Sequence, residues 1–344
     1  MPASIAHFVT LIETYHALKS GNADILQADP VKNNELKSNG SGLEAKTDQG
    51  ISQYAYLGSV FPDVPYYNEE EIKYAADLFH YNKSGTFAIK LIDYAKGKGG
   101  SASGNRLMAF ILGFISHIAC DVVCHPYVNT IAGAYWNQLV PFIGETAVGT
   151  KVSMHMMTET HQDAWLAKNY FGLSDLSSTG TWRSWSDFID DVGLGYLVPI
   201  RDETVALFGD VRSCFKEVYG RRWEEEPLED AGDKIFEAFD VGYDTAGFPL
   251  PDNPSMNLVN YGHRGHDYWD YLKRAFTLSK ALCGKAIDYY KGGDEEKKEL
   301  KKRLKDWNLD TGYCLIVDTQ KKGELHLRFE HSWCHNFGLE HTAD

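Results

Sequence analysis

The stretch LMAFILGFISHIACDVVCHPYVN, residues 107–129, decides how the rest of the chain can fold. Almost every position in it is apolar, which predicts one buried helix. Three ionisable residues interrupt the pattern at a spacing of four, namely His117, Asp121 and His125. At about 100° per residue these side chains share one face of a helix. Burying them without partners would cost several kcal/mol, so imidazole and carboxylate together indicate a bound metal ion.

The composition describes a folded and acidic chain. Of its 344 residues, 43% are apolar and 24% are charged, which predicts a globular protein with a sizeable core. The net charge of −14 opposes non-specific binding to nucleic acid, so no nucleic-acid partner is expected. Six cysteines are too few for a disulfide framework in a chain of this length, and reduced thiols are expected. The oligomeric state stays open.

The N-terminus and the apolar runs bear on where the protein resides. Residues 1–19 lack a basic segment and their apolar run is interrupted by polar residues, which is atypical of a signal peptide. The longest apolar run, residues 107–115, is far shorter than a membrane span. We therefore expect a cytoplasmic protein with no transmembrane segment, although these features do not exclude secretion by a non-standard route.

Apolar periodicity predicts helices over most of the chain, and period-2 alternation occurs only near its C-terminal end. The predicted fold class is all-α, a multi-helix bundle with a small C-terminal β-hairpin appendage formed by residues 313–317 and 324–329. Residues 1–292 are expected to form the helical domain. Residues 293–344 are expected to form an extension, a charged helix and the hairpin, packed on the same domain. The predicted helices are residues 5–19, 53–60, 69–78, 86–95, 107–129, 132–142, 148–169, 184–188, 205–219, 231–239 and 267–290.

Further candidate ligands lie in other segments that a bundle can bring near the central helix. His155 and Glu159 have the i, i+4 spacing on a second helix, as in metal sites built inside helical bundles. Asp63 lies between two prolines and His80 lies near a helix end. His7, on the first turn of the N-terminal helix, completes the set and is preferred by its position to its rival, His16.

Several sequence pieces, taken in order, resemble a known family. They are an early His in an N-terminal helix, GSVFPDVPY, FHY, SHIACDVVCHPYVN and HMMTE. Together they resemble the zinc-dependent phospholipase C superfamily, which includes the bacterial alpha-toxins and the catalytic domain of glycosylphosphatidylinositol-specific phospholipase D. The resemblance covers about residues 5–165. The spacing His-x3-Asp-x3-His is closer to the phospholipase D-like members than to the toxins, whose last gap is longer.

The resemblance implies which residues hold which ion. One metal would be held by Asp63, His80, His117 and Asp121, a second by His125, His155 and Glu159, and a third by His7 with Asp121. In the best-studied relatives an N-terminal Trp completes the third site. This sequence begins Met-Pro, so the amine of Pro2, exposed by removal of Met1, is the candidate replacement.

The implied activity is that of a zinc-dependent phosphodiesterase acting on phospholipids or related phosphoesters. Nitrogen and oxygen ligands without thiolates suit two or three Zn²⁺ ions, while iron and manganese are not excluded. Paired ions activate a water and stabilise the transferred phosphoryl group, and Asp63 is the catalytic candidate for assisting removal of the water's proton.

Three alternatives remain at the level of sequence. The first is a single-strand nuclease, although those zinc enzymes typically end in His-x3-Asp rather than the His155-x3-Glu159 found here. The second is a repurposed metal-binding scaffold without hydrolase activity. The third is a buried hydrogen-bond network without metal. Asp163 is interpreted as a residue that either supports the ligands or lies on the surface, and His161 as a surface residue. The clusters YGHRGH at 261–266 and HSWCH at 331–335 are assigned no function.

Overall fold

The computed structural model describes residues 4–18, 51–68, 71–132, 154–170, 202–223, 227–228, 231, 266–310, 312–318 and 326–331. This part of the chain is mostly helical, as the sequence predicts. The helices are α1 (Ser4–Leu18), α2 (Gln53–Val60), α3 (Lys73–Tyr81), α4 (Ser84–Gly97), α5 (Ala102–Ala132), α6 (Met154–Asn169), α7 (Asp202–Tyr219), α8 (Tyr268–Lys291) and α9 (Asp294–Arg303). A 3₁₀ helix spans Val64–Tyr67.

Helix α5 is the centre of the molecule. Its 31 residues pack against α1, α2, α4, α6, α7 and α8, and the side chains from Leu107 to Cys124 are buried. Among the described residues it is the one helix that is long and apolar enough to cross a membrane, yet the whole of its apolar stretch lies inside the protein. Its length and apolarity therefore correspond to its position in the core.

Helix α5 begins five residues earlier than the sequence predicted, because part of the glycine-rich stretch before it is helical. The hydroxyl of Ser101 accepts a hydrogen bond from the amide N–H of Gly104 at 3.2 Å. A serine in this position satisfies one of the free amides in the first turn and so starts the helix.

Helices α2 and α5 approach each other closely because glycine faces the partner backbone on both sides. A Cβ atom on Gly58 would lie 2.0 Å from the carbonyl oxygen of Phe110, and one on Gly113 would lie 2.0 Å from that of Ala55. No side chain fits at either position. This contact brings the end of α2 and the turn that follows it against the middle of α5.

Helix α9 packs against α8 and α4. Lys297 of α9 contacts both carboxylate oxygens of Asp93 on α4 at 2.8 Å. Strands β1 (Tyr313–Asp318) and β2 (His326–His331) pair antiparallel, with Tyr313 opposite His331 and Asp318 opposite His326. The residues that connect the strands lie outside the described part of the chain. So do the predicted helices at 132–142, 184–188 and 231–239, apart from their first residues at most.

Candidate metal centre

The structure brings all eight candidate ligands into one region at the middle of the protein. Five of them form an inner cluster, and three form an outer cluster. All are buried except His125, whose side chain is 14% exposed. The inner cluster consists of His7, Asp63, His80, His117 and Asp121, and the outer cluster of His125, His155 and Glu159.

Four separate elements supply the inner cluster. Asp63 follows α2, His80 lies in the last turn of α3, and His7 lies in α1. The Nε2 atom of His80 lies 3.0 Å from Oδ1 of Asp63, and that of His117 lies 3.0 Å from Oδ2 of Asp121. The Nε2 atoms of His80 and His117 are 3.4 Å apart, so these two ring nitrogens face the same point inside the inner cluster.

His7 joins the inner cluster from the opposite side. Its Nε2 atom lies 3.4 Å from Oδ1 of Asp121 and 3.7 Å from Oδ2 of Asp63. Its ring stacks on that of His117, with centroids 4.0 Å apart. The rival residue, His16, lies on the exposed side of the same helix.

The outer cluster is smaller and centres on Glu159. Its Oε1 atom lies 3.0 Å from Nε2 of His155 and 3.1 Å from Nε2 of His125. Asp121 links the two clusters, because its Oδ1 atom, which faces His7, is also 3.8 Å from Nε2 of His125. The carboxylate of Asp121 is therefore shared by both clusters.

Main-chain carbonyls orient three of the imidazoles. The Nδ1 atoms of His80, His117 and His125 hydrogen-bond to the carbonyl oxygens of Ala76, Ser59 and Leu309, at 2.8, 2.9 and 3.1 Å respectively. Because a carbonyl can only accept, Nδ1 carries the proton and donates it. In the neutral ring this leaves the lone pair on Nε2, which faces the clusters, in the tautomer that a metal ion requires.

The carboxylates and imidazoles of the two clusters shift one another's pKa values. Burial alone would raise the pKa of Asp121, but the imidazoles of His117 and His125 hold it well below its usual range. Burial would lower the pKa of His125, yet the carboxylates of Asp121 and Glu159 raise it well above its usual range. For His7 burial prevails and lowers its pKa to about 4.

Comparison with protein families identifies the fold around this centre. Residues 36–199 match the family model described as zinc dependent phospholipase C. This match supports membership of the zinc-dependent phospholipase C superfamily. Searches of curated proteins and of solved structures gave no match. The matched segment includes every candidate ligand except His7, which precedes it.

The donor atoms suit the zinc on which this superfamily depends. Both clusters offer imidazole nitrogens and carboxylate oxygens, which are ordinary zinc ligands. Within the described residues, the buried Oδ2 atom of Asp63 and the Nδ1 atom of His7 have no hydrogen-bond partner, and Oδ2 of Asp121 faces Nε2 of His117, which carries no proton in the neutral ring. Buried polar atoms in this state are costly unless something else satisfies them. A bound cation would do so for the two carboxylates.

Two groups outside the proposed ligand set support the centre, and sequence reasoning missed one of them. Asp163, placed outside the ligand set, is buried and accepts hydrogen bonds from the amides of Ile5 and Ala6 at 3.2 Å each. It thereby holds the first turn of α1, which carries His7. The other group is the carbonyl of Leu309 beside His125. The one signal for Asp163 was its position one turn after Glu159, and nothing in the sequence marked Leu309.

The other histidines and cysteines noted in the sequence take no part in the two clusters, as far as the structure describes them. His266, which precedes α8, is half-buried, and its Nδ1 atom lies 3.4 Å from Oδ2 of Asp270. The rest of the YGHRGH stretch and the side chains of HSWCH lie outside the described residues, as does the side chain of His161. The thiols of Cys120 and Cys124 on α5 are buried and free.

Proposed function

We propose that the protein is a metal-dependent phosphodiesterase that hydrolyses phospholipids or related phosphoesters. The observation that carries this proposal is the position of Asp121, whose oxygens lie within 3.8 Å of nitrogens from both clusters. Adjacent ligand sets that share a carboxylate are the arrangement that phosphoryl-transfer enzymes use to hold neighbouring metal ions. The lipid substrate is proposed from membership of the superfamily.

The ligand sets are proposed residue by residue. His125, His155 and Glu159 would hold one ion. His80, His117 and Asp121 would hold another with Asp63. His7 would hold a third together with Asp121, since its Nε2 atom lies 3.4 Å from that carboxylate. Residue 2, whose amine is the proposed further ligand, lies outside the described part of the chain.

Zinc in these sites would lower the pKa of a bound water and stabilise negative charge on the phosphoryl oxygens. The protein's own contribution centres on Asp63. His80 contacts its Oδ1 atom at 3.0 Å, which leaves Oδ2 without a hydrogen-bond partner among the described residues. Burial would raise the pKa of Asp63, but His117 and His80 lower it, so the carboxylate stays ionised. An ionised and fixed oxygen can accept the proton of the attacking water.

The decisive experiment combines metal analysis with a panel of phosphoesters. Purified protein is expected to contain two or three zinc ions per chain and to hydrolyse phosphatidylcholine vesicles. His117→Ala is expected to abolish hydrolysis and to lower the zinc content. His16→Ala, which alters an exposed histidine of α1, is the matched control and should leave both unchanged.

Each alternative has its own result. Cleavage of single-stranded DNA without hydrolysis of lipid would favour the nuclease. Bound zinc without hydrolysis of any phosphoester would favour a metal-binding scaffold. Full activity in His117→Ala would refute the proposed site altogether. The cytoplasmic location and the boundary between residues 292 and 293 stay predictions.

A further inference from the structure

Residues 304–310, which follow α9, run between two parts of the metal centre. This 304–310 segment lies beyond residues 36–199, the part of the chain that matches the family model. Three of its apolar side chains, Leu304, Trp307 and Leu309, are at most 2% exposed. The segment is therefore built into the core, although it follows an exposed and highly charged helix.

One side of the 304–310 segment is fixed to the end of α3 and the start of α4. The amide of Leu309 donates to the carbonyl oxygen of His80 at 2.8 Å. The carboxylate of Asp306 accepts from the amide and the hydroxyl of Thr86, at 2.7 and 2.9 Å. Gly85 allows this approach, since a Cβ atom there would lie 2.4 Å from the carbonyl oxygen of Lys305.

The other side of the 304–310 segment is fixed to the C-terminal part of α5. The Nδ1 atom of His125 donates to the carbonyl oxygen of Leu309 at 3.1 Å. One turn further along α5, the side-chain amide of Asn129 donates to the main-chain oxygen of Asp310 at 2.8 Å and to its Oδ1 atom at 3.1 Å. Leu309 thus contacts a residue of the inner cluster through its N–H and a residue of the outer cluster through its carbonyl.

We infer that the 304–310 segment is a positioning element of the outer cluster, with Asn129 as the side chain that holds it against α5. The carbonyl of Leu309 fixes the proton of His125 on Nδ1 and aims Nε2 at Glu159, 3.1 Å away. His125 needs this support more than His117 does, because its side chain is 14% exposed while that of His117 is fully buried. The inference rests on the proposed metal centre.

The test uses Asn129→Leu, which keeps a similar volume and removes both hydrogen bonds to Asp310. In metal-free protein, at a pH above the raised pKa of His125 where its ring is neutral, nitrogen NMR of the histidine rings is expected to show His125 shifting from the Nδ1–H tautomer to a mixture of tautomers. In zinc titrations the variant is expected to bind one ion per chain 10- to 100-fold more weakly, as is usual when a group that orients a ligand is lost. The other zinc sites should keep their affinity.

Asn105→Leu is the matched control, because it alters an asparagine near the other end of α5 that accepts a hydrogen bond from the hydroxyl of Tyr290 at 3.2 Å. It should leave the tautomer and the zinc affinities unchanged. If Asn129→Leu does not fold, Gly85→Ala displaces the segment from its opposite side, and the same selective loss is expected.

The outcomes separate this inference from the proposed function. A folded Asn129→Leu protein with the wild-type tautomer of His125 and full zinc affinity would overturn the inference. Equal weakening of every zinc site would also overturn it, since that result indicates general destabilisation. If the wild-type protein binds no zinc, the proposed function fails, whereas the tautomer in metal-free protein still reports on the contact with Leu309.

Discussion

The inner and outer clusters both combine imidazoles with carboxylates but are supported in different ways. The inner cluster draws on α1, α3, α5 and the turn after α2, and its side chains are at most 6% exposed. The outer cluster draws on α5 and α6 alone, and His125 at its edge is 14% exposed. Its orienting carbonyl comes from a segment that follows the last helix. The inner cluster is part of the core, whereas the outer cluster depends on more peripheral elements.

The close packing of α2 on α5 explains how the core builds the inner cluster. Gly58 and Gly113 let the two backbones meet, and this contact places the carbonyl of Ser59 2.9 Å from Nδ1 of His117. The turn that carries Asp63 follows directly. The packing that forms the core therefore also orients these candidate ligands. For the outer cluster, the close glycine contact is that of Gly85 with the 304–310 segment, which lies outside the two helices that carry the cluster.

The largest effect is expected from Asp121→Asn, since this carboxylate serves both clusters. Losing its charge leaves His117 and His125 without their shared counter-ion in a buried site, and breaking such a pair costs about 3–5 kcal/mol. We expect zinc to be lost from both clusters and hydrolysis to fall below detection. Zinc content and thermal melting measure this. The control is Asp288→Asn, which alters a surface ion pair with Lys285. Loss of a single zinc ion from Asp121→Asn would contradict the proposal that this carboxylate serves both clusters.

A smaller and one-sided effect is expected from Glu159→Gln. The change removes the carboxylate charge that His125 and His155 both contact and leaves the inner cluster unaltered. We expect the affinity for one zinc ion to fall about 100-fold, which is about 2.7 kcal/mol. Competitive chelation of zinc from the purified variant measures the change. Equal weakening of all the ions would mean that the two clusters form one cooperative unit.

Features of this structure that arise from residues close together in the sequence could be predicted, whereas features that arise from distant residues could not. The apolar run of α5 and the i, i+4 pairs His117–Asp121 and His155–Glu159 are local patterns, because helical periodicity alone puts each pair on one face. The ends of α5 were less predictable, since a polar stretch became helical through the cap by Ser101. That outcome depends on one hydrogen bond and leaves no trace in the apolar pattern.

The supporting groups were beyond the reach of local patterns for a different reason. The carbonyl of Leu309 has no side-chain signature, because every residue carries one, and it acts 184 positions away from His125. Asp163 acts on Ile5 and Ala6, 158 and 157 positions earlier, and only the docking of α1 on α6 reveals this. Ligand residue types are visible in a sequence, whereas the atoms that orient them depend on tertiary packing.

The pH dependence of zinc affinity distinguishes the proposed histidine ligands of the metal centre from one another. Despite burial, Asp121 and Asp63 raise the pKa of His117, and the pKa of His125 is also raised, whereas burial lowers that of His7 to about 4. Below their raised pKa values, His117 and His125 bind protons in metal-free protein, and zinc must displace them.

Zinc affinity should therefore rise as the pH increases from about 5.5, up to tenfold per pH unit for each proton displaced, and level off above the raised pKa values. His7, already neutral over most of this range, should release no proton there. Calorimetry in buffers with different ionisation enthalpies counts the protons released. The control His16→Ala should keep the wild-type count, and an affinity independent of pH would contradict the charged state described for His117 and His125.

The smallest effect is expected from Asp163→Asn, which weakens the anchor of α1 without altering any proposed ligand. The carboxylate accepts two amides of the first turn at 3.2 Å, and losing such a cap costs about 1 kcal/mol. Burial raises the pKa of Asp163 well above its usual range. Because His7 lies on the same turn, the third proposed zinc should weaken while both other ions stay bound. Zinc titrations of Asp163→Asn and, for comparison, of His7→Ala measure this. If zinc binding weakens in the outer cluster instead, Asp163 acts through Glu159 rather than through α1.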